Sequence, residues 1–267
     1  MAGLSHLKGK TAVVTGGSSG IGLGLATRFA SQGMNVVIAA PEQQEVDNAA
    51  ARIGAVGFQA DVTTMEDVQA LAAFTLDRFG AVHVVCNNAG VGPMAPIAKM
   101  TLDDWRWMID VNLYGVIHGV QVFLPFLESN DDGGHIVNTS SLAGLVPGEN
   151  VGAYAVTKFG VVALTEVLSM ELRSAGSKVG ATVLVPGPVR SDIKTSMRTR
   201  PPVDQSGLVD VDLADVDLPF ELNWKDPLEV GDIVLDCIRN DRLYAVTHPE
   251  LLQTVTTRHQ AIESAFA

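Results

Sequence analysis

Cysteine is scarce: Cys86 and Cys237 are the only two in 267 residues. They allow at most one bridge, so a disulfide scaffold is excluded. Cys86 falls within an apolar run, where a reduced, buried thiol is the usual state. Positive charge is also short, with 18 Lys and Arg against 30 Asp and Glu and a formal charge of −12. Nucleic acids and anionic membrane surfaces attract the opposite sign, so neither is expected as a main partner. The first ten residues, MAGLSHLKGK, lack the apolar stretch of a signal peptide, and no window reads as a membrane span. A reducing, cytoplasmic setting is expected. Metal-ligand spacing is missing too, because the six histidines are scattered and the two cysteines stand far apart. Metal-free chemistry follows. No linker divides the chain and no repeat of fixed period shows, while 47% apolar and 18% charged residues suffice for a sizeable core. A single domain spanning 1–267 is expected.

What is present is an alternation of short β-branched runs with longer amphipathic stretches, the pattern of a parallel sheet covered by helices. Seven strand candidates stand out: Thr11 to Val14, Asn35 to Ala39, Val56 to Ala60, Val82 to Asn87, His135 to Thr139, Ala181 to Val185 and Leu243 to Thr247. Apolar residues at helical spacing lie between them, for example Ile21, Leu25 and Phe29, with Gly33 as a stop. The fold expected is α/β, a Rossmann-type doubly wound seven-stranded parallel sheet with helices on both faces. Residues 189–227 break the rhythm and have no core strand, as a lid over a site would; their acidic middle, VDVDLADVDL, reads equally well as a solvated excursion.

The first strand runs into Thr15-Gly-Gly-Ser-Ser-Gly-Ile-Gly22, which opens a helix. Amides at a helix N-terminus attract phosphate, and glycine lets the backbone approach it. Tight turns need glycine for steric reasons as well, so the position after the first strand is what points to a pyrophosphate. Gly16, Ser18, Ser19, Gly20, Ile21 and Gly22 are the candidates to hold it. Further along, Asn87-Asn-Ala-Gly90 follows the fourth strand, Asn112 lies in the next helix, Ser141 ends the fifth strand, Tyr154-x3-Lys158 opens a helix and Pro186-Gly187 closes the sixth strand. Tyr154 and Lys158 are four residues apart and share one helix face. A free phenol ionises near pH 10, about 4 kcal/mol from neutrality, and a nearby ammonium is expected to lower that barrier.

This set of motifs, in this order, resembles the short-chain dehydrogenase/reductase family in its shorter, non-extended branch, over residues 8 to about 250. The resemblance implies reversible hydride transfer between a secondary alcohol and a ketone, with NAD or NADP as cofactor. It implies Tyr154 as proton donor and acceptor, and Lys158 as its electrostatic partner and a ribose ligand. It also implies Ser141, rather than its neighbour Ser140, as the hydroxyl that holds the substrate oxygen, and Asn112 as holder of a relay water. Asp61 and Val62 would cradle adenine, Asp61 serving equally well as a helix cap. Asn87, Asn88, Ala89, Gly90, Pro186, Gly187, Val189 and Ser191 would line the cofactor. One departure stands out: the second strand ends in Ala39-Ala40-Pro41-Glu42, with no acid at Ala40 for the ribose diol and no nearby base for a 2′-phosphate. The choice between NAD and NADP stays open.

Val91, Gly92, Met94, Leu142, Val146, Pro147 and Val189 are expected to form an apolar substrate wall, fitting a neutral hydrophobic or aromatic alcohol or ketone. Arg190, Lys194, Arg198 and Arg200 form a possible cationic patch, and Phe220 and Trp224 are placed to close over a substrate or anchor the lid. The helix from Ala153 to Ser174 puts Phe159, Val162 and Val167 on faces that one sheet does not cover, which suggests a homodimer or homotetramer. A cofactor-sensing protein without turnover, or epimerase or dehydratase chemistry on the same fold, remains the alternative.

Overall fold

The strand β1 (Thr11–Thr15) alternates its side chains between two faces of the sheet, Ala12 and Val14 to one core and Val13 to the other. In the computed structural model, which describes residues 4–216 and 221–266, the same alternation organises every layer. The remaining strands are β2 (Asn35–Ala40), β3 (Val56–Gln59), β4 (Val84–Asn87), β5 (Gly134–Thr139), β6 (Val179–Val185) and β7 (Tyr244–Val246). They pair in the order β3-β2-β1-β4-β5-β6-β7, and every pair is parallel. All seven expected strands form, with ends shifted by a residue or two where the ladder frays.

Helices α1 (Gly20–Ser31), α2 (Gln43–Ile53) and α7 (Pro227–Asn240) cover one face with Leu25, Phe29, Val46 and Ile238. Helices α3 (Met65–Phe79), α5 (Gly115–Glu128) and α6 (Gly152–Ser174) cover the other with Leu71, Phe123, Leu127 and Leu172. The sheet grows outward from β1 through β2 to β3, then resumes on the opposite side of β1 with β4, and this reversal opens a crevice at the strands' carboxyl ends. A short helix, α4 (Leu102–Ile109), runs into α5 through a π-helical turn at Asp110–Tyr114. A final helix, α8 (Leu252–Glu263), lies outside and has no buried residue.

Two stretches correct the expectation that nothing reads as a membrane span, since Leu102–Glu128 and Gly152–Ser174 are long and apolar enough by length and composition. Their apolar sides pack on the sheet, with Phe123 and Leu127 of the first and Val161 and Leu172 of the second in one core. On α6, Val162 is buried against Val183 and Val185, and Phe159 sits under the Arg258 guanidinium of α8 at 4.9 Å. The chain itself therefore covers two of the three residues expected to need a partner. Val156, Val167 and Met170 remain exposed on α6.

Between β6 and α7 the described residues form only 3-10 turns at Asp192–Thr199 and Leu213–Asp215, with isolated bridges from Met94 to Val209 and from Val189 to Lys225. Phe220, expected at this position to close or anchor the segment, lies outside the described residues.

Candidate active site

A cavity of about 410 Å³ opens at the carboxyl ends of the strands. One half of it is made mainly of backbone. Ser19 stands in extended conformation before α1 and makes no side-chain cap, so the first amides of α1 are free to face an anion. Gly16 has φ +64°, and a Cβ there would sit 2.8 Å from the Ala89 Cα, so only glycine admits this close approach. Thr15, which the sequence assigns no separate role, holds the two loops together. Its hydroxyl accepts from the Asn88 and Ala89 amides at 3.0 and 3.2 Å, and the Asn88 amide group donates to the Thr15 carbonyl at 3.0 Å.

The expected cofactor residues Gly16, Ser18, Ser19, Gly20, Ile21, Gly22, Ala40, Asp61, Val62, Asn88, Ala89, Gly90, Tyr154, Lys158, Pro186 and Ser191 all line this cavity. Three others do not. Asn87 is buried beneath Gly119 of α5, its amide donating to Asn138 at 2.9 Å. Gly187 donates to the Thr247 hydroxyl at 3.0 Å and packs against His248, while Val189 belongs to the core on the α1 side. Asp61 combines its two expected roles: it faces the cavity and accepts from the Thr63 amide at 2.9 Å, tightening the turn before α3. At the far end, the Ala40 methyl contributes no charge, while Glu42 and Glu45 do line the wall.

Tyr154 and Lys158 occupy the first turns of α6, with the ammonium 5.5 Å from the phenol ring centre and donating to the Thr139 carbonyl at 3.0 Å. Lys158 is buried, and burial lowers its pKa to about 8. Burial also pushes the Tyr154 phenol above its ordinary value, and the neighbouring Ser141 hydroxyl draws it only part of the way back. The expected lowering by lysine is not found in the chain alone, where desolvation of the phenolate dominates. Ser140 spends its hydroxyl on the Lys158 carbonyl at 2.8 Å, which leaves Ser141 as the serine beside the phenol. Ser141 also accepts from the Ala143 amide at 3.1 Å, so it caps its own turn as well.

Asn112 lies in the π-helical turn and is fully buried, but both ends of its side chain are taken by the Val91 backbone, at 2.8 and 2.9 Å. Its side chain thereby braces the loop that follows β4.

The substrate wall departs most from expectation. Of the seven residues named for it, Val91 lines the cavity; the apolar surface otherwise comes from Trp107 and Val111 on α4 and its extension and from Ile193, Pro201 and Val203. The spacing of Trp107 and Val111, four residues apart on a helix, was the one available signal. Three of the four bases expected as a cationic patch are paired: Lys194 with Asp212, Arg198 with Glu45 at 3.8 Å and Arg200 with Asp104 at 2.6 Å. Among the described residues no group of histidines, cysteines or acids is arranged to hold a metal ion.

Residues 10–202 match the family model described as short chain dehydrogenase. A solved short chain dehydrogenase/reductase from Burkholderia phymatum in complex with NAD superposes with a TM-score of 0.89 at 35% identity, over 98% of this chain and 97% of that one. A C alpha-dehydrogenase of Sphingobium sp. (strain NBRC 103272 / SYK-6) is 30% identical over 99% of this chain and 88% of its own length. A 3beta-hydroxysteroid dehydrogenase 1 of Eggerthella lenta is 36% identical over 70% of this chain and 73% of its own.

Proposed function

Since the chain belongs to the short-chain dehydrogenase/reductase family, oxidoreductases that use NAD or NADP, we propose that it interconverts a secondary alcohol and a ketone. The bound nicotinamide supplies or takes up the hydride. The observation that carries the reading is the meeting of Tyr154 and Lys158, with Ser141 beside the phenol, at one end of a cavity whose other part is lined by the glycine turn.

In this reading Tyr154 gives its phenolic proton to the substrate oxygen in reduction and accepts it in oxidation. Ser141 holds that oxygen while charge develops on it. Lys158, cationic at neutral pH even with its pKa near 8, favours the phenolate and donates to the ribose. Asn112 acts through its backbone, since a π-turn shifts the helical register and frees a carbonyl for water. The glycine turn and α1 amides hold the pyrophosphate, and Asp61 and Val62 flank adenine.

The substrate is a neutral hydrophobic or aromatic alcohol, a reading supported by Trp107, Val111 and Ile193 in the cavity and by the hydroxysteroid dehydrogenase among the relatives. Residues 189–227 serve as its lid within one domain. The apolar stripe Val156, Val167 and Met170 on α6 pairs with a second copy, giving a homodimer or homotetramer. Two free, buried cysteines suit a cytoplasmic setting.

Turnover of a panel of aryl, steroid and aliphatic secondary alcohols with NAD and with NADP, followed by formation of reduced nicotinamide, tests the assignment. Reduction of either cofactor with an aryl or steroid alcohol is expected. Binding of cofactor without turnover of any alcohol or ketone would replace the enzyme by a cofactor-sensing protein.

A further inference from the structure

The substrate half of the cleft is organised by a buried carboxylate that takes no part in the chemistry. Asp104 is fully buried in the first turn of α4, where it closes a capping box with Thr101. Its second oxygen accepts from the Thr101 and Gly207 amides at 2.8 and 3.0 Å, and its first accepts from the Ser206 hydroxyl at 2.8 Å and forms an ion pair with the Arg200 guanidinium at 2.6 Å. Burial alone would raise this carboxyl, but these four donors hold it down to about 2. Residues 200–207 are thereby clamped onto α4. Arg200 is itself almost wholly buried, with 3% of its side chain exposed, and its Nε and Nη2 have no well-aligned hydrogen-bond acceptor. Instead its guanidinium lies over the Trp107 ring, 5.3 Å from the ring centre.

Trp107 is thus held by a cation that is in turn held by Asp104, and it lines the cavity in the same apolar cluster as Tyr154. A ring fixed in this way costs little further entropy when a second ring packs against it. The charges around it select as well. Of the basic residues lining the cavity, Arg198 and Arg200 are paired with acids and Lys158 donates to Thr139, while Asp110 and Asp103, the latter paired with Arg106 at 2.8 Å, lie on the same stretch as Trp107.

We propose that Trp107 is the aryl-binding wall of the substrate half, that Arg200 and Asp104 are positioning residues which hold its ring, and that this half selects neutral aryl substrates over aryl carboxylates. The proposal rests on the oxidoreductase reading for its kinetic test and is independent of it for its binding test.

In kinetics, Trp107→Leu lowers the ratio of kcat/KM for 1-phenylethanol to that for 2-butanol about tenfold, and Trp107→Phe restores most of it. Arg200→Met lowers the same ratio, and combining it with Trp107→Leu brings no further loss, because both act on one ring. If Arg200→Met fails to fold for want of a counter-charge to Asp104, the pair Asp104→Asn with Arg200→Met, which removes both charges, takes its place. A 4-carboxyphenyl alcohol has a KM about tenfold above that of its methyl ester. An unchanged aryl-to-aliphatic ratio in Trp107→Leu, additive effects of the two substitutions, or equal KM for acid and ester would each overturn the corresponding part. If the wild type turns over no alcohol, calorimetry with anisole, which has no carbinol to oxidise, decides the wall separately: binding lost in Trp107→Leu upholds it, and equal binding removes it.

Discussion

In the cofactor half of the cleft, the groups that face the cavity are main-chain amides and glycines, locked by Thr15 and Asn88 across two loops. In the substrate half they are side chains of α4 and of residues 193–203, locked by one buried ion pair between segments about a hundred residues apart. The first arrangement presents the same polar surface whatever surrounds it, because an amide carries no side-chain identity. The second changes with any substitution at Trp107, Val111 or Ile193. A fixed cofactor and a variable substrate are served by these two kinds of wall, and Tyr154 and Lys158 stand where they meet.

The sharpest probe of that division is Tyr154→Phe, which keeps the packing and removes the proton. Turnover is expected to fall by about 10²–10⁴-fold, with melting temperature and cofactor Kd nearly unchanged. A comparable loss of cofactor affinity by calorimetry would show that the two halves are not separable at this residue.

Lys158→Met tests the cost of the boundary. The unfolded chain holds the lysine proton up to about 10.5 and the folded chain only to about 8, so the folded state carries the full penalty of a buried charge below about pH 8 and sheds it between about 8 and 10.5. At pH 7 the variant is therefore expected to be more stable by up to about 3 kcal/mol, while losing turnover and cofactor affinity. Denaturant melts from pH 6 to pH 10 check both the sign and the window, since the gain must shrink as the pH rises.

Thr15→Val leaves the Asn88 and Ala89 amides without their acceptor. Cofactor Kd is expected to rise by about 10- to 50-fold, with little change in aryl-ligand affinity. Parallel losses in both affinities would mean that the two walls share one support.

The smallest effect belongs to Ala40→Asp. A carboxylate at the end of β2 accepts from ribose hydroxyls and repels a 2′-phosphate, so the NAD to NADP ratio of kcat/KM is expected to rise about tenfold. Both cofactors are compared in one buffer, because phosphate recognition depends on salt. No change would place Ala40 out of reach of the adenosine ribose.

The strands, their parallel pairing and the glycine turn were legible in the amino-acid order, because alternation, helical spacing and turn chemistry are local and every residue carries its own part of the signal. The Tyr154 and Lys158 pair was legible for the same reason, four residues on one helix face. The bonding of the Asn112 amide to Val91 and the inward burial of Asn87 were decided in three dimensions, by which backbone each happened to meet. So was the rise of the Tyr154 phenol, since desolvation depends on everything packed around it and not on the nearest charge in the chain. The substrate wall was the least legible part. Asp104 and Arg200 are unremarkable as letters, one in a helix start and the other among scattered bases, and only the fold brings them within 2.6 Å of each other beside Trp107. Local spacing determined the scaffold and the reacting pair; long-range packing of side chains decided what the reacting pair faces.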